Sequence, residues 1–254
     1  MQQNQPQWSA ILADAINKPG VLSSAYSAFH NFSIGNQMLA WSQMTARDIP
    51  IGPVATFNDW QALGRQVRRG EKAIELVMPI TINRKDQDGE KTGESFTMFA
   101  MKPRWFALSQ TDGEDYAQEA KTPAWDAAKA MAALEIEEIS YAMTDGNCQG
   151  YATGSKIAIN PVAALPHKTR FHEIAHVVLG HTKEHTMQDD ELTPRDVREV
   201  EAESVAYLCI SILGLPGQEE SRGYIQHWLG SDKIEDKSAQ KIFSAANKIL
   251  KAGE

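Results

Sequence analysis

The sequence predicts an α+β fold divided into two domains, and three observations carry that prediction. Charge is split along the chain. Residues 1–110 hold 11 Lys+Arg against 9 Asp+Glu, a balance of +2, and residues 111–254 hold 14 against 24, a balance of −10. Between them runs "SQTDGEDYAQEAKTP" (109–123), polar, acidic and rich in turn formers. The hydrophobic period, finally, mixes helical and alternating patterns in the first half and is mostly helical in the second. Domains are expected at 1–112 and 123–254 with a linker at 113–122. The first should be α+β, the second mainly helical with a small β-hairpin.

Each element has its own signal. "QWSAILADAIN" has helical spacing, as does "SIGNQMLAWSQMTA", where Ser33 is a natural N-cap and Ile34, Met38 and Trp41 share a side. "FNDWQALG" reads as a short helix stopped at Gly64. "EKAIELVMPITI" and "SFTMFAM" form the strands of a hairpin across the charged loop "NRKDQDGEKTGE", and "RWFALSQ" adds a strand. After the boundary, "PAWDAAKAMAALE" is an Ala-rich helix opened by proline. "GNCQGYATGSKIAIN" reads as a hairpin turning at Thr153-Gly154-Ser155. "TRFHEIAHVVLG" is a helix with Gly180 as its stop. "TPRDVREVEAESVAYLCISILG" is a long helix, and two more follow at "RGYIQHWLG" and "KSAQKIFSAANKILKA".

Composition excludes several classes. The start, "MQQNQPQWSA", has neither the basic nor the apolar region of a signal peptide. The longest nearly apolar run, "VAYLCISILGL", is far short of the ~20 residues that span a bilayer. Two cysteines, Cys148 and Cys209, are too few for a disulfide framework or a thiolate cage, so the reducing cytoplasm is the expected compartment, with no membrane partner.

Chemistry concentrates at "RFHEIAHVVLGH" (170–181), which contains His-Glu-x-x-His at His172, Glu173 and His176. With 7 histidines in 254 residues, accident would supply this pattern in about one such chain per hundred. On a helix, residues four apart project from one face, so His172 and His176 can offer two imidazoles to one ion. Glu173 then sits beside the open coordination position, which is where a carboxylate base would take a proton from zinc-activated water. His181, nine residues after His172, falls on the opposite face at ~100° per residue and follows the expected helix stop, so it is expected either to stand behind a ligand or to be exposed. His185 is expected in a solvated loop.

A third ligand is expected from "VREVEAESVAY". Glu199 and Glu203, four apart, share a face with Ala202 and Ala206, whose small side chains permit close helix approach, whereas Glu201 projects elsewhere. Glu199 is the expected ligand and Glu203 the carboxylate that orients a ligand histidine. Glu201 remains the alternative ligand. The strand "KIAIN" (156–160) could offer a free edge to an extended peptide or be an ordinary core strand.

The first half combines cations with aromatics. Arg65, Arg68, Arg69 and Lys72 lie near Trp60, Arg84 and Lys85 lie in the hairpin loop with Lys91, and Lys102 and Arg104 flank Trp105. Such groups hold single-stranded nucleic acid, cations on phosphates and rings on bases. Phe29, Phe32, Trp41, Phe57 and Phe99 have core-like spacing instead.

"FHEIAHVVLGH" with "EVEAESVAYLCISILGL" resembles the zincin-like metallopeptidase domain of ArdC-type antirestriction proteins and, more distantly, the IrrE/ImmA peptidases. "NFSIGNQMLAWSQ", "TFNDWQALGRQVRRGEKAIELVMPI" and "WFALSQTDG" are similar to the N-terminal domain of the same family. The resemblance implies single-stranded-DNA binding in the first domain and a zinc peptidase-like second domain, serving a plasmid or phage against restriction. It implies Zn2+ at His172, His176 and a glutamate of "EVEAE", with Glu173 as catalytic base and an unidentified protein substrate. Two other readings compete with it. In one, zinc is structural and protection comes from covering DNA; in the other, the chain is a regulatory peptidase that cleaves a repressor. Glu173 favours catalysis, because a closed structural site needs no base beside an open position.

Overall fold

A computed structural model of the chain describes residues 6–85, 91–118, 124–144, 147–182, 194–229 and 234–254, with side chains at 84–85, 91–94 and 228–229 outside that description. The chain forms two compact units. One contains Asn36–Glu119, the other Gln7–Gly35 together with Ala120–Glu254. The division after Glu119 falls inside the polar stretch read as a linker. The division at the start differs from the contiguous 1–112 expectation, because α1 (Trp8–Asn17) and α2 (Val21–Phe29) count with the second unit. The sequence reading did not separate α2. α3 (Ile34–Ala46) begins at the boundary and runs through the first unit.

In the first unit, β1 (Val54–Thr56) leads directly into α4 (Phe57–Ala62), whose first turn is closed by a capping box between Thr56 and Asp59. β2 (Arg65–Val67), the long hairpin of β3 (Ile74–Lys85) and β4 (Lys91–Ala107), and β5 (Thr111–Gly113) complete it. The main sheet has the order β1-β4-β3, all antiparallel, and β2 pairs with β5 as a separate ribbon. α3 holds β3 by an arrangement that hydrophobic spacing does not reveal. Asn36 and Gln43, seven apart on one helical face, present amides to the strand's backbone. Val77 donates its N–H to Asn36 Oδ1 (2.9 Å) and accepts from Asn36 Nδ2 (2.8 Å); Glu75 does the same with Gln43 (2.9 and 2.7 Å). A strand edge left bare invites pairing with other chains, and these side chains satisfy it instead.

The second unit continues with α5 (Ala127–Leu134), β6 (Glu137–Glu138), β7 (Gly150–Thr153), β8 (Lys156–Ile159), α6 (Pro166–Val178), α7 (Arg195–Ile212), α8 (Gln218–Leu229) and α9 (Asp236–Gly253). α7 is its centre: every residue from Val200 to Ile210 is buried. A helix covered on all sides needs neighbours on all sides, and α2, α6, α8 and α9 supply them. α9 turns a stripe of Ala239, Ile242, Phe243, Ala246 and Ile249 inward, the i, i+3, i+4, i+7 pattern of a helix lying on a core. The first helix is tied to this unit by polar bonds. The Ser9 backbone N–H donates to Asp236 Oδ1 (2.8 Å), and the Ile16 carbonyl accepts from Arg222 Nε (2.9 Å) and the Tyr207 hydroxyl (3.2 Å). Those contacts lie some two hundred residues apart in sequence, which is why a reading along the chain assigned residues 7–35 to the first domain.

The small sheet has the order β6-β8-β7, with β6 parallel and β7 antiparallel to β8. The strand "KIAIN", read as either a free edge or an ordinary core strand, is therefore the middle strand. Its edges belong to β6 and β7. Among the described residues no helix is long and apolar enough to cross a membrane.

Candidate metal centre

α6 starts with Pro166 in its first turn, where the missing N–H costs no hydrogen bond. It buries Phe171, Ile174 and Ala175 and turns His172 and His176 to the other side. α7 runs against it and brings Glu199 to the same point. His172 Nε2 and His176 Nε2 lie 3.1 Å apart, and Glu199 Oε2 is 3.4 Å from the first and 3.7 Å from the second. Two ligands of a tetrahedral zinc, each ~2.0–2.1 Å from it, are separated by roughly 3.3 Å. The three donor atoms form a triangle of nearly that edge. His172, His176 and Glu199 are the one such group found among the described residues. Two imidazoles and one carboxylate are also a donor set suited to zinc.

Glu203, one turn after Glu199, accepts a hydrogen bond from His172 Nδ1 at 2.9 Å while its other oxygen meets Lys168 Nζ at 2.7 Å. In the neutral ring that a metal needs, that bond leaves Nε2 of His172 with its lone pair toward Glu199 and His176. Burial disfavours the charge on Glu203, but the His172 bond outweighs it and holds the carboxyl down at about 2. Burial likewise opposes protonation of His172, yet the carboxylates of Glu199 and Glu203 raise it to about 9. Glu199 is held well below the usual range by its bonds to His172 and then His176.

These shifts give a testable pH profile for chelator-treated protein. The raised His172 contributes stability fully below its unfolded value of 6.5 and loses it as pH rises through about 9. The lowered Glu203 contributes fully above 4.5 and loses it as pH falls through about 2. The melting temperature of chelated protein is expected to be highest between these two unfolded values and to fall from neutral pH toward pH 9. A flat profile over the alkaline limb, measured by calorimetry, would contradict the pairing.

Glu173 is 7% exposed, and its burial pushes the carboxyl upward, against the pull of His172 and His176. It faces a cleft of ≈ 680 Å³ lined by the histidines, Glu199, Thr169, Arg195 and the length of β7. β7 lies close enough to restrict residue choice. A Cβ on Gly150 would stand 2.7 Å from Thr169 Cγ2 and 3.1 Å from Glu173 Oε1, so glycine lets the strand edge pass directly beside the carboxylate.

His181 and Glu201 meet in a way the sequence reading did not join. Of its two expected places, exposed or behind a ligand, His181 takes the second: its Nδ1 is 3.0 Å from His176 Nδ1, and its Nε2 is 3.0 Å from Glu201 Oε2. Helical extrapolation fails because α6 has ended. Gly180 adopts a left-handed conformation (φ 80°), the His181 N–H donates to the His176 carbonyl (2.8 Å) and the Gly180 N–H to that of Val177 (3.1 Å). This is a Schellman stop, which folds the residue after the glycine back over the last turn. Glu201 does project away from Glu199, toward Ser238 and His181, and it is 2% exposed. His185 lies outside the described residues.

The expected nucleic-acid residues of the first unit divide in two. Trp60 is buried (1% exposed), donates its indole N–H to the Phe106 carbonyl (2.8 Å) and packs edge-on against Tyr116. It has no face left for a base, and the expectation is corrected. Arg65 bonds Thr111 and the Glu114 carbonyl, and Arg68 pairs with Glu71 (2.9 Å) and Asp112 (3.4 Å), so both brace the β2–β5 ribbon. Arg69, Lys72 and Arg104 are exposed, and Lys102 and Trp105 are half-buried. The side chains of Arg84, Lys85 and Lys91 fall outside the described ones. Phe29 is core, as expected, and Phe32 and Trp41 are half-buried. Phe57 and Phe99, expected inside, are 45% and 69% exposed, joined on β4 by Phe96 (52%) and Met98 (41%).

The architecture defines a class: an α+β chain in which a His-Glu-x-x-His helix faces a carboxylate-bearing helix beside a sheet edge. Residues 2–121 match the family model of the N-terminal domain of anti-restriction factor ArdC. The fold along the whole chain is similar to that of the antirestriction ArdC protein from plasmid R388. Its metal-free crystal structure matches with a TM-score of 0.57 at 23% identity, over 99% of this chain and 95% of that one. The Mn(II)-bound crystal structure matches with a TM-score of 0.56 at 21% identity, over 96% of each. No curated protein matches the chain. The family match thus rests on the N-terminal part of the chain, and the likeness to the R388 protein is one of fold.

Proposed function

We propose that this chain is an antirestriction protein that binds single-stranded DNA through its first unit and carries a zinc-dependent peptidase site in its second. The observation that carries the reading is the donor triangle of His172, His176 and Glu199 with the buried carboxyl of Glu173 beside it. The similarity in fold to the Mn(II)-bound R388 protein supports a divalent ion in this chain.

His172, His176 and Glu199 would hold the ion, which supplies Lewis acidity toward a water and a peptide carbonyl. Glu173, its carboxyl raised by burial, is poised to accept the water's proton and return it to the leaving amine. Glu203 keeps His172 in the ligating tautomer. The free edge of β7 runs beside Glu173, so a substrate pairing with it as an added strand would lay its backbone along the cleft.

For DNA, the exposed rings of Phe96 and Phe99 on the β3–β4 hairpin offer stacking faces, and Arg69, Lys72 and Arg104 offer exposed cations. The full-length Phe99→Ala variant is expected to bind single-stranded oligonucleotides about 5–150-fold more weakly, the equivalent of one stack at ~1–3 kcal/mol. Affinity should fall as salt rises. Fluorescence anisotropy titrations would show it, and unchanged affinity would remove Phe99 from the interface. The whole reading is tested in a restricting host. Cells expressing the protein should retain unmodified incoming DNA better than cells without it, and equal retention would refute antirestriction.

A further inference from the structure

The two candidate ligand histidines are supported differently. His172 has a carboxylate directly on its Nδ1, from Glu203 at 2.9 Å. His176 has another imidazole there: His181 Nδ1 lies at 3.0 Å, and behind it Glu201 Oε2 lies 3.0 Å from His181 Nε2. Glu201 is itself fixed from the far side by the Ser238 hydroxyl, which donates to its other oxygen. The His181 carbonyl accepts from Arg198 of α7 (3.2 Å), and the left-handed Gly180 sets the turn, so the ring is held from both ends.

With the His181 ring neutral, the hydrogen bonds fix where each proton sits. A carboxylate accepts only, so the nitrogen facing Glu201 must donate, and His181 carries its proton on Nε2. His181 Nδ1 of the neutral ring is then an acceptor. The partner nitrogen, His176 Nδ1, must donate to it, which leaves the lone pair of His176 on Nε2, the atom facing His172 and Glu199. The reverse order would put a lone pair of His181 against the Glu201 carboxylate and a proton on the ligating atom of His176. We infer that His181 and Glu201 are positioning residues that select the metal-ligating tautomer of His176 through a two-link hydrogen-bond relay. The inference rests on the metal reading above and names a role for Glu201 distinct from ligation. It also accounts for an acidic group in the most buried stretch of α7, where an unpaired charge would be costly.

The test is zinc affinity of the full chain, measured by competition with a chromophoric chelator, for His181→Asn, His181→Phe and Glu201→Gln. Asparagine keeps an oxygen that can accept from His176 Nδ1 but loses the ring. Phenylalanine keeps the ring volume but loses the acceptor. The relay predicts that His181→Phe weakens zinc about 10–100-fold, as loss of a ligand's orienting partner does, and that His181→Asn recovers most of it. A ring that only fills space predicts the opposite order, and that order would overturn the relay. Glu201→Gln, nearly isosteric, is expected to weaken zinc roughly tenfold by removing the charge that forbids the reversed tautomer. Should both His181 variants fail to fold, unchanged affinity in Glu201→Gln would overturn the relay by itself. Wild-type protein that takes up no zinc would sink the metal reading and the relay with it. Wild-type uptake with a Phe-over-Asn order would sink the relay alone.

Discussion

Alanine at His176 or at His172 is expected to reduce zinc from about one ion per chain to a small fraction of that. Each histidine supplies one corner of a triangle whose edges are 3.1, 3.4 and 3.7 Å, and two remaining donors cannot enclose an ion. The loss should also appear as stability, because a ligand that binds only the folded state stabilises it by about 2.7 kcal/mol at a hundredfold excess over Kd. For a unit of this size that is a shift of roughly 5–10 °C in melting temperature, present in wild type on adding zinc and missing in both variants. Elemental analysis and calorimetry would measure the two effects together. Variants that bind and respond to zinc as wild type does would show that the ion sits elsewhere.

Glu173→Gln is expected to separate chemistry from binding. Zinc content should be unchanged, since Glu173 is not a corner of the donor triangle, while any peptidase rate should fall ~10²–10⁴-fold with the proton acceptor gone. Stability should move the other way. Burial raises the Glu173 carboxyl, so from its unfolded value of 4.5 upward its ionisation weighs against the folded state. A neutral glutamine of the same shape removes that load, and the variant is expected to melt higher than wild type at neutral pH. Sites tuned for catalysis often trade stability in this way. The same variant discriminates among functions in cells. If it protects incoming DNA as well as wild type does, protection comes from covering DNA, and proteolysis is a separate activity or none.

The site was legible in the sequence where chemistry and helical phase coincide. His172 and His176 share a face because they are four apart, and Glu199 and Glu203 share one for the same reason; the structure brings these four side chains together. Phase failed at His181, because it holds only within a helix and α6 stops before that residue. Phase did separate Glu201 from Glu199, but it could not show that Glu201 meets His181, which lies beyond the helix. In the first unit, alternation on β4 shows that successive residues face opposite ways, but not that both faces of the hairpin's outer part are open. Phe96 and Met98 point to one side and Phe99 to the other, and all three are exposed. Trp60 looked available because its partner, the Phe106 carbonyl, is distant in sequence, and so is Asp112, one of the two carboxylates that hold Arg68. Short strands such as β2 and β5, three residues each, carry too little pattern to read.

The central claim is that one divalent ion is held by α6 and α7 at His172, His176 and Glu199. Zinc-loaded crystals measured on either side of the zinc absorption edge test it most directly. The account predicts one anomalous peak per chain, ~2.0–2.2 Å from His172 Nε2, His176 Nε2 and a Glu199 oxygen, with a position open toward Glu173. A peak coordinated by Glu201 in place of Glu199, a closed four-residue site, or no peak between the two helices would contradict it.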